Sequence, residues 1–403
     1  MSSTQEVLEK LGCAYFETDI SGAITAVNDT FCGLVGSEWE QILGKRLVEI
    51  FRSSDPQILE GALDTIRDTG AAVRNLELEF HNRSGQQMLL EFSIIPDTSK
   101  PGEGDIICGL VREITSRKQT LESLLAAEHE LEIGRRIQTS FLPSQIPPIP
   151  GWQINAHFEA AREVAGDFYD VFTLSSGRRV GLVMADVVDK GVGAALFMAL
   201  FRSLIRAFVD QHYKLGWMDV LSSDHSSTQE TTSVGQRRKL LSTGSTALQN
   251  AIDLTNNFIA VNHSDTNMFA TMFVGVLDPT NGSLMYINGG HDPPILLRAS
   301  GPVERLVPTG PAVGILPDLK FSIENTSLDR HDTLIAYTDG VTDALNPAGE
   351  PFGEERLLAL IESPSNNAEE LKDRIVDDLH SHIAGRSQYD DITLFVLRRN
   401  PIS

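Results

Sequence analysis

The sequence has few cysteines, few basic residues and no long uninterrupted apolar run. Its 403 residues include three cysteines, Cys13, Cys32 and Cys108, which are too few and too scattered for a disulfide framework or a thiolate metal site. We expect them to be small buried side chains in a reducing compartment. The densest apolar stretch, residues 194–201, is well short of the roughly 20 residues that cross a bilayer, and residues 1–11 lack the apolar core of a signal peptide. These features predict a cytoplasmic protein.

Basic residues are outnumbered by acidic ones. The chain has 33 Lys and Arg against 55 Asp and Glu, which gives a formal net charge of −22. Such a surface repels the phosphates of nucleic acids and of anionic lipids, so we expect no nucleic-acid and no membrane partner. Hydrophobic residues make up 41% of the chain, which is ordinary for a globular protein, and the length predicts two or three domains.

The first 115 residues contain short alternating apolar runs separated by turn residues. This pattern predicts a small domain of strands and short helices, with a hairpin turn at 82–85. The predicted strands are 14–18, 23–27, 73–81, 87–95 and 106–114, and the predicted helices are 28–35, 39–44 and 55–69.

A helix is predicted for Thr115–Phe141, which contains no proline, and Pro143 ends it. Four apolar residues form a short heptad seam along it. The seam is equally compatible with a dimeric coiled coil and with one amphipathic helix docked on a neighbouring domain. Its residues are Ile114, Leu121, Leu124 and Leu131.

The rest of the chain alternates near-continuous apolar strands with helical segments. A helix over 193–208 is apolar on most faces, so we expect it to be buried. The Ser/Thr/Gln-rich stretch 222–245 predicts a mobile excursion between two helices. The predicted strands are 180–185, 268–277, 284–288, 334–337 and 392–397.

Aspartates stand at the ends of these predicted strands. Asp186 and Asp339 directly follow strands, Asp390 precedes the last strand, and Asp167 stands where another strand begins. A carboxylate beside a buried strand is costly unless it is solvated, capped or bound to a cation. Any one of them alone fits a turn or cap residue. Together they favour a site for hard divalent ions, which take oxygen ligands.

Three other polar residues lie near this predicted site. His291 sits in a Gly/Pro-rich loop after a strand, and we expect it to position the loop rather than to bind metal. Lys190 either offsets carboxylate charge or starts the next helix. Arg162 is a candidate phosphate anchor on charge alone.

Seven motifs occur in order: EVAGDFYD at 163–170, DVVDKGVGAAL at 186–196, FAT at 269–271, GGHDPP at 289–294, GPAVGI at 310–315, YTDGVTD at 337–343 and DDITL at 390–394. Together they resemble the SpoIIE/RsbU-type branch of the PPM protein phosphatases over about residues 133–398. RIQTSFLP at 136–143 also fits the entry helix of that family. Ala165 stands where a second glycine is usual, and Val188-Asp189 where a Ser-Gly pair is common.

The resemblance implies a β-sandwich flanked by helices that holds two divalent cations, Mn²⁺ or Mg²⁺. By motif, Asp186 would bridge the two ions and the carbonyl of Val187 would be a further ligand. Asp339 and Asp390 would hold the first ion, and Asp167 would serve the second, directly or through water. Asp186 and Asp339 are thereby the candidate catalytic residues.

The N-terminal region is similar to a PAS domain, through FETDISGAITAVN at 16–28 and the strands that end with REIT at 112–115. This resemblance implies a sensor or dimerisation role. Cys32 lies in the wrong context for flavin attachment, and His81 fits a surface hairpin better than a haem ligand. We therefore expect no cofactor in this domain.

The sequence as a whole predicts an α+β protein with three parts: a PAS sensor domain at 1–115, a helical linker at 116–142 and a SpoIIE-type PPM phosphatase domain at 143–399. The expected activity is hydrolysis of phosphoserine or phosphothreonine on a regulatory protein. The family resemblance implies a STAS-type anti-sigma-factor antagonist as substrate, control by the PAS domain, and a homodimer through the PAS domain and the linker helix. The alternatives are a catalytically silent scaffold that binds a signalling partner and a hydrolase of small phosphoesters.

Overall fold

The computed structural model of the chain describes residues 8–51, 56–82, 85–97, 106–224 and 233–400. The chain divides into two compact units, Met1–Glu128 and His129–Ser403. The division falls inside the long helix α5 (Thr115–Phe141). The three-part division at 115 and 142 remains a prediction.

The first unit is a five-stranded antiparallel sheet with short helices. The strand order is β2-β1-β5-β4-β3. The strands are β1 (Ala14–Asp19), β2 (Ile24–Val27), β3 (Val73–His81), β4 (Gln87–Asp97) and β5 (Ile106–Glu113), and the helices are α1 (Asp29–Val35), α2 (Trp39–Ile42), α3 (Leu47–Ile50) and α4 (Pro56–Thr69).

A cap and an aromatic cluster explain this local structure. The side chain of Asn28 accepts a hydrogen bond from Phe31 N at 3.0 Å and donates one to Cys13 O at 2.8 Å. It therefore starts α1 and ties it to the beginning of β1. Phe51 lies at the centre of the core, where its ring contacts Phe31 and Phe92 edge to face at centroid distances of 5.5 and 4.9 Å.

The second unit contains two five-stranded sheets, with strand orders β13-β10-β9-β8-β7 and β12-β11-β14-β15-β6. Its strands are β6 (Trp152–Glu159), β7 (Phe168–Leu174), β8 (Arg179–Val187), β9 (Ala270–Leu277), β10 (Ser283–Gly289), β11 (Ile295–Leu297), β12 (Val303–Arg305), β13 (Glu324–Ser327), β14 (Thr333–Tyr337) and β15 (Ile392–Arg399). The helices from the linker onward are α5 (Thr115–Phe141), α6 (Val192–Asp224), α7 (Ser233–Asn262), α8 (Asp339–Thr342), α9 (Glu354–Glu362) and α10 (Ala368–Ile383).

The two sheets pack face to face and helices cover their outer faces. Leu182 and Met184 of β8 point toward the other sheet, where they share a core with Phe395. Val183 and Ala185, one residue out of phase, share a different core with α6 and α7. Because both faces of β8 are buried, its sequence is a continuous apolar run rather than an alternating one. The predicted β-sandwich flanked by helices is confirmed.

The helix α10 shows how local sequence fixes an element that borders the sheet. The side chain of Asn367 accepts a hydrogen bond from Glu370 N at 2.8 Å, and Ala384 ends the helix in the left-handed region at φ 49°. Leu371, Ile375 and further residues at helical spacing are buried against the outer face of the second sheet.

Some expectations about single elements were wrong. The helix predicted for 193–208 extends over Val192–Asp224 and buries one face, while Leu196 is 67% exposed. The stretch 222–245, predicted as a mobile excursion, is helical at 222–224 and 233–245, and residues 225–232 lie outside the described residues. Of the three cysteines, Cys108 is buried but Cys13 and Cys32 are partly exposed.

The apolar character of α6 extends further than the densest sequence run suggested. Val192–Tyr213 is long and apolar enough to cross a membrane by length and composition. Ala194, Met198, Phe201 and Ile205, however, are fully buried in the core of the second unit. Packing against the β13-β10-β9-β8-β7 sheet accounts for the apolar residues on this face of α6.

Candidate metal centre

Four strand ends bring the predicted aspartates to one end of the sandwich. Asp167 immediately precedes β7, and Phe168 pairs with Ala185, so Asp167 lies beside Asp186 at the end of β8. In the other sheet, Asp339 starts α8 directly after β14, and Asp390 precedes β15, which pairs antiparallel with β14. Each sheet therefore contributes two of the four carboxylates.

Asp167 links the two sheets through hydrogen bonds. It is 2% exposed, and its Oδ2 accepts hydrogen bonds from Thr338 Oγ1 and Thr393 Oγ1, both at 2.6 Å. Thr338 directly follows β14 and precedes Asp339, and Thr393 is the second residue of β15, two residues after Asp391. The hydroxyl groups thus orient a carboxylate of one sheet against the other.

Asp391, the neighbour of a predicted ligand, fixes the loop before β7. Its two carboxylate oxygens accept backbone hydrogen bonds from Ala161 N and Gly166 N, each at 2.8 Å. Asp391 is 6% exposed, and its bond from Gly166 N is buried while its bond from Ala161 N is partly buried. Asp391 therefore holds this loop in place beside Asp390, whose carboxylate accepts a hydrogen bond from Asp391 N at 3.0 Å.

Two glycines allow the close approach of backbone at this site. A Cβ at Gly340 would lie 1.9 Å from Asp391 O, and one at Gly166 would lie 2.8 Å from Val187 O. Any side chain would push these segments apart. The carbonyl of Val187, a predicted ligand, therefore lies against the loop that carries Asp167.

The carboxylates destabilise one another's charged forms. Burial, followed by the charges of Asp339 and Asp390, raises the pKa of Asp186 to about 7. Burial and then Asp390 raise the pKa of Asp339 to about 6. The pKa of Asp167 is raised well above its usual range, first by burial and then by Asp186, and burial also raises the pKa of Asp391.

One nearby ammonium group offsets part of this charge. Lys190 Nζ lies 2.8 Å from Asp390 Oδ2 and also donates to Tyr389 O at 2.7 Å. This confirms the charge-offsetting interpretation of Lys190. Asp189, which stands where the family has glycine, adopts φ 73°, a left-handed conformation that glycine favours.

The donor set fits hard divalent cations. The carboxylates of Asp167, Asp186, Asp339 and Asp390 offer oxygen ligands. A cation would relieve the repulsion that raises the pKa values of the first three. Within the described residues, no three of them bring oxygen atoms within 4.8 Å of one another. The four carboxylates are therefore close enough to affect one another's charge, but their oxygens do not converge on one point. Their roles as metal ligands remain predictions.

His291 lies behind the cluster rather than in it. It is 2% exposed, and its Nδ1 is 3.0 Å from the Oγ1 of Thr271, the residue that pairs with Asp186 across β8 and β9. Burial lowers the pKa of His291 to about 4, so the ring is neutral at pH 7. This geometry fits the positioning role expected for it. Arg162 is exposed at the rim.

Sequence reasoning missed the groups that hold these carboxylates in place. The hydroxyls of Thr338 and Thr393 and the carboxylate of Asp391 stand next to predicted ligands, so the motifs YTD and DDIT contained the signal. Gln138 had no such signal. It is 6% exposed on α5 and bonds to both backbone groups of Ala165, accepting from Ala165 N at 2.9 Å.

Two five-stranded sheets with a carboxylate cluster at one end define a candidate metal-dependent hydrolase. The family described as "Stage II sporulation protein E (SpoIIE)" matches residues 176–400, and a PAS domain matches residues 12–116. The chain belongs to the SpoIIE family. Asp186, Asp339 and Asp390 lie inside the matched region, and Asp167 lies before it. Both resemblances seen in the sequence are confirmed.

Two curated relatives and one solved structure illustrate the similarity. The chain is 43% identical to Protein IcfG of Synechocystis sp. over 290 residues, which cover 70% of this chain and 44% of that protein. It is 24% identical to phosphoserine phosphatase RsbP of Bacillus subtilis over 268 residues, which cover 66% of this chain and 57% of RsbP. The chain thus spans about half the length of these relatives. The SiaA-PP2C domain of Pseudomonas aeruginosa aligns with a TM-score of 0.49 and 18% identity, covering 71% of this chain and 99% of that domain.

Proposed function

We propose that this chain is a metal-dependent protein serine/threonine phosphatase that hydrolyses phosphoserine or phosphothreonine on a regulatory protein. The observation that carries the proposal is the cluster of mutually repelling carboxylates, where the pKa values of Asp186 and Asp339 rise to about 7 and 6, inside a SpoIIE-family domain. The similarity to a relative named phosphoserine phosphatase supports the substrate class.

Two divalent cations, Mn²⁺ or Mg²⁺, would occupy this cluster. Asp186 would bridge them with the Val187 carbonyl as a further ligand, Asp339 and Asp390 would hold the first, and Asp167 the second. When bound, such ions polarise a phosphoryl oxygen and generate hydroxide from water near neutral pH.

The chain's own residues would keep this ligand set in register. Thr338 and Thr393 hold Asp167 toward the opposite sheet. Asp391 holds the loop before β7 in place by accepting a hydrogen bond from Gly166 N. Arg162, exposed on that same loop, would attract the phosphate of an incoming protein by charge.

We further propose a phosphorylated STAS-type antagonist as substrate, control by the PAS domain, a homodimer through the PAS domain and the linker helix, and action in the cytoplasm. Two observations support the dimer and the control. Leu121, Leu124 and Leu125 on α5 are each more than half exposed. Gln138 on the same helix bonds to Ala165, two residues before Asp167, so a shift of this helix would reach the ligand loop.

The test is a dephosphorylation assay with phosphorylated STAS-type proteins, a phosphoserine peptide and a nucleotide, with and without Mn²⁺. We expect Mn²⁺-dependent release of phosphate from protein, and loss of at least a hundredfold in Asp186→Asn and Asp339→Asn. Unchanged activity in both variants would refute the site. Binding of a phosphoprotein without turnover would favour the silent scaffold, and preference for the nucleotide would favour a small-phosphoester hydrolase.

The regulatory part has its own test, which is deletion of the residues before Thr115. We expect a change in turnover or in the mass measured by light scattering. If both stay the same, control by the PAS domain and dimerisation through it are wrong, while the assignment of the metal centre is unaffected.

A further inference from the structure

Outside the aspartate cluster, His157, Glu159 and His380 form a second group of metal-ligating side chains. His157 and Glu159 are two residues apart on β6, so they project from the same face of the strand, and His380 lies on α10, which packs against β6. Glu159 Oε2 is 3.4 Å from His157 Nε2 and 2.8 Å from His380 Nε2. Of all histidine, cysteine and acidic side chains in the described residues, only these form a group of three or more whose ligand atoms lie within 4.8 Å of one another.

The separation of Glu159 from His157 matches a tetrahedral zinc site, and that of Glu159 from His380 is somewhat shorter. Zinc binds imidazole nitrogen and carboxylate oxygen at about 2.0–2.2 Å, so two ligands at a tetrahedral angle stand about 3.4 Å apart. Glu159 Oε2 and His157 Nε2 already have this separation of 3.4 Å. His380 Nε2 would move outward from 2.8 Å by a few tenths of an ångström, which its half-exposed side chain on the helix surface allows.

The environment of the His157 imidazole also favours metal binding. Its Nε2 is buried and lies 3.4 Å from Glu159 Oε2 without forming a hydrogen bond of good geometry, although a buried polar nitrogen normally forms one. Burial lowers the pKa of His157, which favours the neutral imidazole that metals bind. The positive charge of Lys372 lowers the pKa of His157 and would repel a metal cation. The negative charge of Glu159 raises that pKa and would attract one.

We propose that His157, Glu159 and His380 bind one Zn²⁺ ion, with water as a fourth ligand, and that the ion ties α10 to β6. Two histidines and one glutamate form a ligand set that zinc uses in proteins. The simpler alternative is that Glu159 merely accepts a hydrogen bond from His380. The proposal does not depend on the proposed phosphatase activity.

Glu159 also contacts the segment of chain that leads into β15. Glu159 pairs with Ile392 at the start of β15. Gln388 Nε2 donates to Asp390 O at 2.6 Å and to Glu159 O at 3.4 Å. An ion on Glu159 would therefore stiffen the segment that enters β15 and carries Asp390.

The test measures metal binding by the full-length, EDTA-treated protein and its variants. The variants His157→Gln and His380→Gln remove a ligand, and glutamine at 380 can still donate a hydrogen bond to Glu159. The matched control is His129→Gln, since His129 is exposed on α5 with its side chain 66% accessible. Zn²⁺ is titrated against a chelating dye, and Co²⁺ serves as the spectroscopic probe because a tetrahedral nitrogen-containing site absorbs visible light far more strongly than an octahedral oxygen site.

We expect the wild type and His129→Gln to bind one more equivalent of Zn²⁺ than His157→Gln and His380→Gln. We also expect the strong Co²⁺ bands to disappear in the latter two. Circular dichroism in EDTA checks that all variants fold, and Glu159→Gln provides a third variant if one of them does not. Equal stoichiometry and equal Co²⁺ spectra in all folded variants would overturn the proposal and leave the hydrogen-bonded pair as the explanation.

Discussion

Replacing Asp186 with asparagine should stabilise the metal-free protein while it removes metal binding. The pKa of Asp186 is raised from 3.8 to about 7 by burial and by the charges of Asp339 and Asp390. At about 1.36 kcal/mol per pKa unit, keeping this carboxylate ionised at pH 8 costs at most about 4 kcal/mol of folding free energy. Asparagine is similar in shape to aspartate and carries no charge, so we expect a gain of about 2–4 kcal/mol in the free energy of unfolding.

The pH dependence of this effect has a defined sign. Because the pKa of Asp186 is higher in the folded than in the unfolded chain, the folded state binds more protons between pH 4 and 7. The stability of the metal-free wild type is therefore full below about pH 4 with respect to this group and falls as the pH rises through about 7. Asp186→Asn lacks this titration, so its stability should exceed that of the wild type most at pH 8 and by less at pH 5, and should match it only below about pH 4.

The assay is thermal unfolding in EDTA at pH 5 and pH 8. With about 2 °C per kcal/mol for a unit of this size, we expect Tm of Asp186→Asn to exceed that of the wild type by about 4–8 °C at pH 8. Added Mn²⁺ should raise Tm of the wild type much more than that of the variant. The control is the exposed Asp265→Asn, which should change neither value. An equal or lower Tm for Asp186→Asn in EDTA at pH 8 would refute the reasoning.

Three further variants probe the supports of the cluster. Asp391→Ala leaves the buried N–H group of Gly166 and the partly buried N–H group of Ala161 without their acceptor, so urea unfolding should show a loss of about 2–4 kcal/mol; a loss below 1 kcal/mol would contradict this. Gly340→Ala should lower both Tm and calorimetric Mn²⁺ affinity, because its Cβ would lie 1.9 Å from Asp391 O; wild-type values for both would exclude the clash. Gln138→Ala should raise the Mn²⁺ concentration needed for half-maximal activity several-fold while the circular dichroism spectrum stays unchanged. An unchanged activation curve would show that the bonds to Ala165 do not support the loop that carries Asp167.

The sequence predicted the elements whose periodicity reflects burial. The run at 180–185 indicated a strand buried on both faces, and β8 has that environment. The short strands β11, β12 and β13 escaped prediction because three or four residues give too little pattern. The strand β6 was also missed, since most of its residues are only partly buried and its sequence is mixed.

Sequence reasoning identified the four aspartates that the structure brings to one end of the sandwich. It did not identify the residues that hold them in place, for a physical reason. An aspartate at a strand end is visible in the sequence because it interrupts an apolar run. The bonds from Thr338 and Thr393 to Asp167 join residues more than 170 positions apart in the chain. Such pairings depend on how the two sheets face each other. The same holds for Gln138, whose partner Ala165 lies 27 positions away on a loop.

The architecture makes the aspartate cluster a source of instability that a bound cation would remove. The carboxylates of Asp167 and Asp186 come from one sheet and those of Asp339 and Asp390 from the other, so their repulsion acts across the interface between the sheets. The threonine bonds and the contact of Lys190 with Asp390 offset only part of it. A ligand that binds only the folded state stabilises it by about 2.7 kcal/mol at a hundred times its Kd. Divalent ions should therefore act on stability and on catalysis through the same four side chains, and a variant that separates the two effects would show that the sandwich holds together independently of its metal centre.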